Sequence, residues 1–387
     1  MPNLPPLPLI DGALFIDNSG WIETMSTCHR YLQYKNLNKR VTSGEKAALN
    51  FGSAIHLAVE LRYARYQNKL VDEAYYNDLS SIFTDLFNEH PSPSDDWRSL
   101  NWAMEMTKKY NDRFSIEDFN LLKYEKPVEW PSCGGTGHTH KPAEPDSYIH
   151  QLCPFCLGTG LREAMVEVPF AVKLFDWKGT LNGRQAEGDE RWHKDGKWVA
   201  TIPIIYSGRI DLPIMKDNQL FVMDHKTTSM MGQPFWDEQR VSPQHLGYCW
   251  AFEQTTGQRP TGYVVNAVRT KDCPQYVLAG KDFKSKDGKK TSPADWWQQT
   301  FQRDIFPVTQ SKLDEWKNNT IDLVEEFFFH YQRDFMPQKK KWCSSYGRCP
   351  YYEVCLLAPE DRGLILASGE FSDNKWTPLN QPTQTKQ

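Results

Sequence analysis

Two apolar runs flank a short polar stretch near the middle of the chain. Ile202 to Ile214 and Leu220 to Lys226 are rich in Ile, Val, Phe and Tyr, and Lys216-Asp217-Asn218-Gln219 between them is turn material. The pattern predicts a β-hairpin. A further strand is expected over Gly262 to Arg269, and another after Glu167, which opens an apolar stretch. Helical spacing covers Glu45 to about Tyr66, the stretch from Pro243 to Phe252, and Ser311 to Arg333; Ser43 to Phe114 alternates such patterns with polar breaks. Gly179 to Lys197 reads as a long hairpin or loop between strands. Trp296-Trp297 and Phe327 to Phe329 are expected in the core, and Cys249 and Cys273 as small core residues. Beyond Ser368 the chain is polar and carries prolines without apolar periodicity, so a disordered tail is expected. No internal repeat is visible.

The hairpin carries chemistry. Side chains alternate along a strand, so Asp224 and Lys226 share one face while His225 points to the other. Asp211, in Gly208-Arg209-Ile210-Asp211 on the partner strand, can reach the same spot. Two converging carboxylates repel unless a cation sits between them, and hard oxygen ligands suit Mg2+ or Mn2+. The alternative is a surface Asp-x-Lys salt bridge, which contributes little.

Three further features bear on that choice. Gln244 and Tyr248, four residues apart after Pro243, share one helix face where an amide and a phenol could hold a phosphate or a water; a helix with one polar edge would look the same. Gly52, His56 and Glu60 form a stripe on the first long helix. A glycine there suggests close packing, and His56 reads equally as a core residue or a metal ligand. Cys343, Cys349 and Cys355 crowd the C-terminal region while Cys28 stands near the start. The N-terminal segment is proline-rich, without a basic region leading into an apolar core, and no apolar run has membrane length. A cytoplasmic, reducing setting is expected, in which clustered thiols are better read as metal or cluster ligands than as disulfides.

The ordered set comprises Cys28, Gly-x-x-x-His at 52–56, Glu167, Gly-x-x-Asp at 208–211, Asp-x-Lys at 224–226, Gln-x-x-x-Tyr at 244–248 and the triple-Cys segment. It resembles the RecB-like branch of the PD-(D/E)XK nuclease superfamily, and more narrowly its iron-sulfur members: phage-type exonucleases, CRISPR-associated RecB-like nucleases and the AddB nuclease domain. The resemblance implies an α/β fold, a restriction-endonuclease-like mixed sheet flanked by helices. It also implies that His56, Asp211 and Asp224 ligate the metal together with the backbone carbonyl of His225. Lys226 would activate the attacking water and steady the phosphoryl charge, while Gln244 and Tyr248 position substrate. Ile210 stands before Asp211 where the superfamily name has proline, as is usual in this branch. Cys28, Cys343, Cys349 and Cys355 would hold a 4Fe-4S cluster; four thiolates could equally bind zinc, and spacing alone does not separate the two.

A second cysteine group has another look. Cys133-Gly134-Gly135-Thr136-Gly137 and Cys153-Pro154-Phe155-Cys156-Leu157-Gly158-Thr159-Gly160 resemble the paired knuckles of DnaJ-type zinc ribbons. Trp130 replaces the leading cysteine of the first knuckle. His138 or His140, and less readily His150, could supply the fourth zinc ligand; a finger that folds without metal is the alternative.

These features divide the chain into a helical N-terminal part of the nuclease at 20–130, a zinc-ribbon-like insertion at 131–162, the nuclease core with its cysteine segment at 163–367, and the tail at 368–387. The net charge of -4 over 387 residues is unlike that of a protein coating nucleic acid, though a nuclease needs only a locally basic groove. Lys281 to Lys290 and Lys339-Lys340-Lys341-Trp342 are candidate phosphate or base contacts, with solvated loops as the alternative. The expected activity is a Mg2+- or Mn2+-dependent DNA exonuclease acting on ends or single strands in recombination, repair or phage replication. Recombination or replication proteins would be its partners. The rivals are a non-catalytic DNA-binding or scaffold subunit and a CRISPR-adaptation-type nuclease.

Overall fold

The computed structural model describes residues 4–42, 47–66, 71–89, 97–129, 138–144, 147–152, 161–181, 190–194, 197–271, 275–284, 290–344 and 348–374. The N-terminal part runs through β1 (Leu14–Ile16), a π-helical turn at Asn18–Ile22, α1 (Glu23–Thr27), α2 (His29–Leu32) and β2 (Arg40–Thr42). Three longer helices follow: α3 (Ala47–Leu61), α4 (Glu73–Glu89) and α5 (Leu100–Arg113). The middle of the chain is β-rich, with β3 (Asn120–Leu121), β4 (Lys123–Glu129), β5 (His138–Glu144), β6 (Ser147–Leu152), β7 (Leu161–Ala164), β8 (Val168–Gly179), β9 (Glu190–Lys194), β10 (Lys197–Ile210), β11 (Leu212–Lys216) and β12 (Gln219–Thr228).

After β12 come α6 (Gln233–Arg240), α7 (Pro243–Thr256), β13 (Gly262–Arg269), α8 (Gln275–Leu278), β14 (Phe283–Lys284), β15 (Lys290–Thr291), α9 (Pro293–Thr300), β16 (Phe301–Pro307) and α10 (Gln310–Gln332). The chain then passes through α11 (Tyr352–Leu356) and α12 (Arg362–Leu366) to β17 (Phe371–Asp373). No helix among the described residues is long and apolar enough to cross a membrane.

The central sheet has the order β16-β13-β12-β11-β3. β12 and β13 are parallel, joined by α6 and α7, and the other neighbours are antiparallel. Both faces are covered. Leu220, Val222, Tyr263, Val265 and Ala267 pack with α7 and α10, whereas Phe221, Met223, Val264 and Val268 pack with α3, α4 and α5. A second sheet holds β1, β10 and β8, with β9 paired to β10. This mixed α/β architecture is that expected of a PD-(D/E)XK core.

The predicted hairpin forms between β11 and β12, turning at Asp217 and Asn218, both with positive φ (50° and 60°). That pair suits a tight two-residue turn, because Asp and Asn tolerate left-handed backbone better than bulkier residues. The strand expected over 202–214 is interrupted at Asp211, where the chain leaves the second sheet and enters the central one. The glycine argument also holds locally: a Cβ on Gly52 would lie 2.9 Å from Thr227 Oγ1, so α3 lies close against the end of β12.

Several expectations need correction. Phe327 and Phe328 are fully buried, but Phe329 is 52% exposed, since three consecutive helical residues cannot all face one core. The tail beyond Ser368 is not wholly irregular: Phe371–Asp373 pairs with β2, and Phe371 stacks on Tyr351 at 5.5 Å. Residues 375–387 lie outside the described residues, as do Cys133, Cys153, Cys156 and Cys273. His138 and His140 fall on β5, which pairs with β6 so that His140 stands opposite His150; their side chains are outside what is described.

Candidate active site

The alternation of β12 carries straight into chemistry. Leu220 and Val222 face α7, and so do the next residues of that parity, Asp224 and Lys226; Phe221 and Met223 face α3 to α5, as does His225. Asp224 is 2% exposed, with its Oδ2 2.8 Å from Lys226 Nζ and 3.1 Å from His245 Nε2 on α7. A carboxylate can only accept, so His245 Nε2 carries the proton in that contact. Lys226 Nζ also donates to Gln244 Oε1 at 2.6 Å, and Gln244 Nε2 donates to the Tyr248 hydroxyl at 2.8 Å. Asp224, Lys226, Gln244 and Tyr248 thus form one chain of contacts. Burial of Asp224 removes the surface salt-bridge alternative.

Asp211 reaches the same region from the break between β10 and β11. Its Oδ2 accepts from the backbone N–H of His225 at 2.7 Å, and its carbonyl accepts from the Glu167 N–H at 2.8 Å. Burial, with Asp224 and Glu167 nearby, pushes the Asp211 carboxyl well above the usual range. Burial acts on Asp224 in the same direction, but Lys226 and His245 outweigh it and hold Asp224 ionised well below that range. The two acids are therefore unequal: one has its counter-charges built in, and the other lacks one.

A cleft of about 450 Å³ opens beside them, lined among others by Gly52, His56, Glu60, Glu167, Asp211 and Tyr248. Burial lowers the His56 pKa to about 4, leaving a neutral ring with a lone pair to offer at neutral pH. His225 turns away. Its Nδ1 meets Asn266 Nδ2 at 2.8 Å, its ring stacks over Tyr63 at 6.0 Å, and Asn266 is in turn held by Tyr110 and Arg303. That network fixes the peptide at His225, whose N–H holds Asp211.

The donor set fits a hard divalent cation, because Asp211 is a partly buried acid on the cleft lining with no ion pair among the described residues. The side chains do not, however, close to ligand spacing by themselves. Among the described residues the one group of three His, Cys, Asp or Glu side chains with ligand atoms all within 4.8 Å of one another lies elsewhere, at His29, Glu326 and His330. Asp224 is engaged instead by Lys226 and His245, and Asp211 by the His225 N–H.

The family model for the PD-(D/E)XK nuclease superfamily matches residues 21–356. The chain belongs to this superfamily. No curated protein matches it as a relative. Membership implies a metal-dependent nuclease with DNA as substrate, and it spans both the acidic cleft and the four cysteines.

Those cysteines come together from the two ends of the matched region. Cys28, Cys343, Cys349 and Cys355 line a groove of about 840 Å³ that also reaches Lys226 and Gln244. Cys28 Sγ accepts from the Lys339 N–H at 3.4 Å, and Cys343 Sγ from Gln338 Nε2 at 3.4 Å. Burial raises the thiols of Cys349 and Cys355, with Cys28 adding to the effect at both. Lys339 and Trp342 lie on this groove; of the Lys-rich segment, residues 285–289 lie outside the described residues, while β14 and β15 at its two ends pair with each other and Lys290 is paired to Asp282 at 2.7 Å.

Sequence reasoning missed His245, although it stands beside Gln244; its position a hundred degrees round the helix from Gln244 hid the fact that this second face meets β12. It also missed Asp17, which lines the cleft and caps the turn at Asn18–Ile22 by accepting from the Gly20 N–H at 2.8 Å. An Asp opening a helical turn is the signal that could have marked its place, though not its exposure to the cleft.

The raised Asp211 pKa has a defined sign. A folded-state pKa above the unfolded value stabilises fully below the ordinary carboxylate range and is lost as pH rises through the elevated folded value. A cation at Asp211 would take the proton's place, so a Mn2+-induced rise in Tm should grow as pH climbs through that window and be lost in Asp211→Asn. A Tm rise independent of pH in the native protein would argue against a cation at Asp211.

Proposed function

We propose that the protein is a Mg2+- or Mn2+-dependent DNA exonuclease whose active site is the cleft at Asp211, Asp224 and Lys226. The observation that carries this reading is the unequal support of the two acids: Asp224 is buried against Lys226 and His245, whereas the partly buried Asp211 lines the cleft and accepts from the His225 N–H. His56, Asp211, Asp224 and the backbone carbonyl of His225 would hold the cation. When bound, such a cation polarises a phosphoryl oxygen and lowers the pKa of its water.

The chain's own residues supply the rest. Lys226 is pinned between Asp224 and Gln244, so its ammonium is fixed in direction and can orient a water and steady charge on the phosphoryl oxygens without reorganising. Gln244 relays that constraint to Tyr248, whose phenol burial keeps protonated and able to donate to a phosphate oxygen. Asn18, Ser19, Thr227 and Gln244 line both the cleft and the cysteine groove, giving a continuous track for a single strand, with Lys339 and Trp342 for phosphate and base contact. The four cysteines would hold a 4Fe-4S cluster that crosslinks the N-terminal segment to the C-terminal one. The zinc-ribbon-like insertion remains a proposal from the sequence alone, as do roles in recombination, repair or phage replication and a cytoplasmic location. A non-catalytic scaffold is the weaker reading, since it has no use for a buried Asp-Lys-Gln-Tyr chain.

End-labelled linear, circular and single-stranded DNA incubated with the full chain and Mn2+ tests the activity. Linear or single-stranded substrate should be degraded and covalently closed circles spared. Asp224→Asn and Lys226→Ala should each lose at least about 10²-fold in rate with folding intact; undiminished rates in both would reject the site. The purified protein should be brown with four iron atoms per chain, and Cys349→Ser should bleach it; colourless native protein carrying zinc at these thiols would reject the cluster.

A further inference from the structure

His29, next to Cys28, is fully buried at the start of α2, and neither of its ring nitrogens has a hydrogen-bond partner. A neutral imidazole carries one N–H donor and one lone pair, and a buried polar group left unpaired is costly. The ring that His29 meets is His330, in the last turn of α10, with centroids 4.9 Å apart and planes inclined at 65°. His330 Nδ1 is likewise buried and unpartnered, while its Nε2 faces Glu326 Oε1 at 3.7 Å, beyond hydrogen-bonding range. Glu326 and His330 are one turn apart on the same helix face, so α10 presents a carboxylate and an imidazole side by side to His29. One ligand atom from each of the three lies within 4.8 Å of the other two.

We infer that His29, Glu326 and His330 form a binding site for a divalent transition metal of the zinc class, tying α2 to α10. Two imidazoles are borderline donors that, joined by one carboxylate, suit Zn2+ better than Mg2+, and three protein ligands leave a fourth position for water. The Glu326 side chain is 44% exposed, so that position opens toward solvent and gives an ion a way in. An edge-to-face histidine pair with no ion leaves three ring nitrogens without a hydrogen-bond partner, whereas coordination engages one on each ring. The site is separate from the acidic cleft and from the four thiols, and its role is structural: a second crosslink between the N-terminal segment and α10. It does not depend on the nuclease reading.

The test compares the full-length native protein with His330→Gln and Glu326→Gln, each equilibrated with ZnCl2 in excess Mg2+ and passed through gel filtration. Zinc per chain should fall by one in His330→Gln relative to the native protein, whatever zinc other sites retain. The zinc-dependent rise in Tm should vanish in that variant and need at least tenfold more zinc in Glu326→Gln. Glu326 is half-exposed, so its variant decides the matter if His330→Gln fails to fold. Unchanged zinc content and an unchanged Tm response in the folded variants would overturn the assignment.

Discussion

Two neighbouring carboxylates with unequal support, Asp224 buried and Asp211 partly buried, are the constraint on which the site depends. Moving an ionised acid out of water is expensive unless counter-charges and hydrogen bonds accompany it. Asp224 has both, from Lys226 and His245, and stays ionised. Asp211 has a backbone N–H and two acidic neighbours, and its carboxyl is driven toward the protonated form. A structure that only needed packing would place an amide or an apolar residue there.

The fold builds this imbalance with few devices. Strand alternation in β12 sends Asp224 and Lys226 toward α7 and His225 toward the Tyr63, Tyr110 and Asn266 network. The break at Asp211, where the chain changes sheets, lets its side chain turn back onto the His225 peptide. Helix α7 then presents His245 to one side of Asp224 and Gln244 to Lys226. Helix α3 closes the cleft, with Gly52 admitting Thr227 and with His56 and Glu60 on the lining.

Local periodicity made much of this legible. The hairpin, β13, the long helix α10 and the shared face of Gln244 and Tyr248 follow from spacings of two and of three to four residues, and so does the opposition of His225 to Asp224 and Lys226. Long-range pairing was not legible. Nothing near Phe371 announces that it meets Thr42, and nothing near Cys28 says which later turn its sulfur will face. His245 and His29 escaped for the same reason: a histidine's role depends on what packs against it from elsewhere. Phe329 shows the converse error, in which an apolar run was read as wholly internal although a helix turns its third member outward.

The most direct test is a crystal of the full chain soaked in Mn2+ and measured at the manganese absorption edge. An anomalous peak should lie between the carboxylates of Asp211 and Asp224, within about 2.5 Å of an oxygen of each, with the His225 carbonyl oxygen facing it. Manganese bound elsewhere, or no peak between these acids in crystals whose protein degrades DNA, would contradict the shared cation.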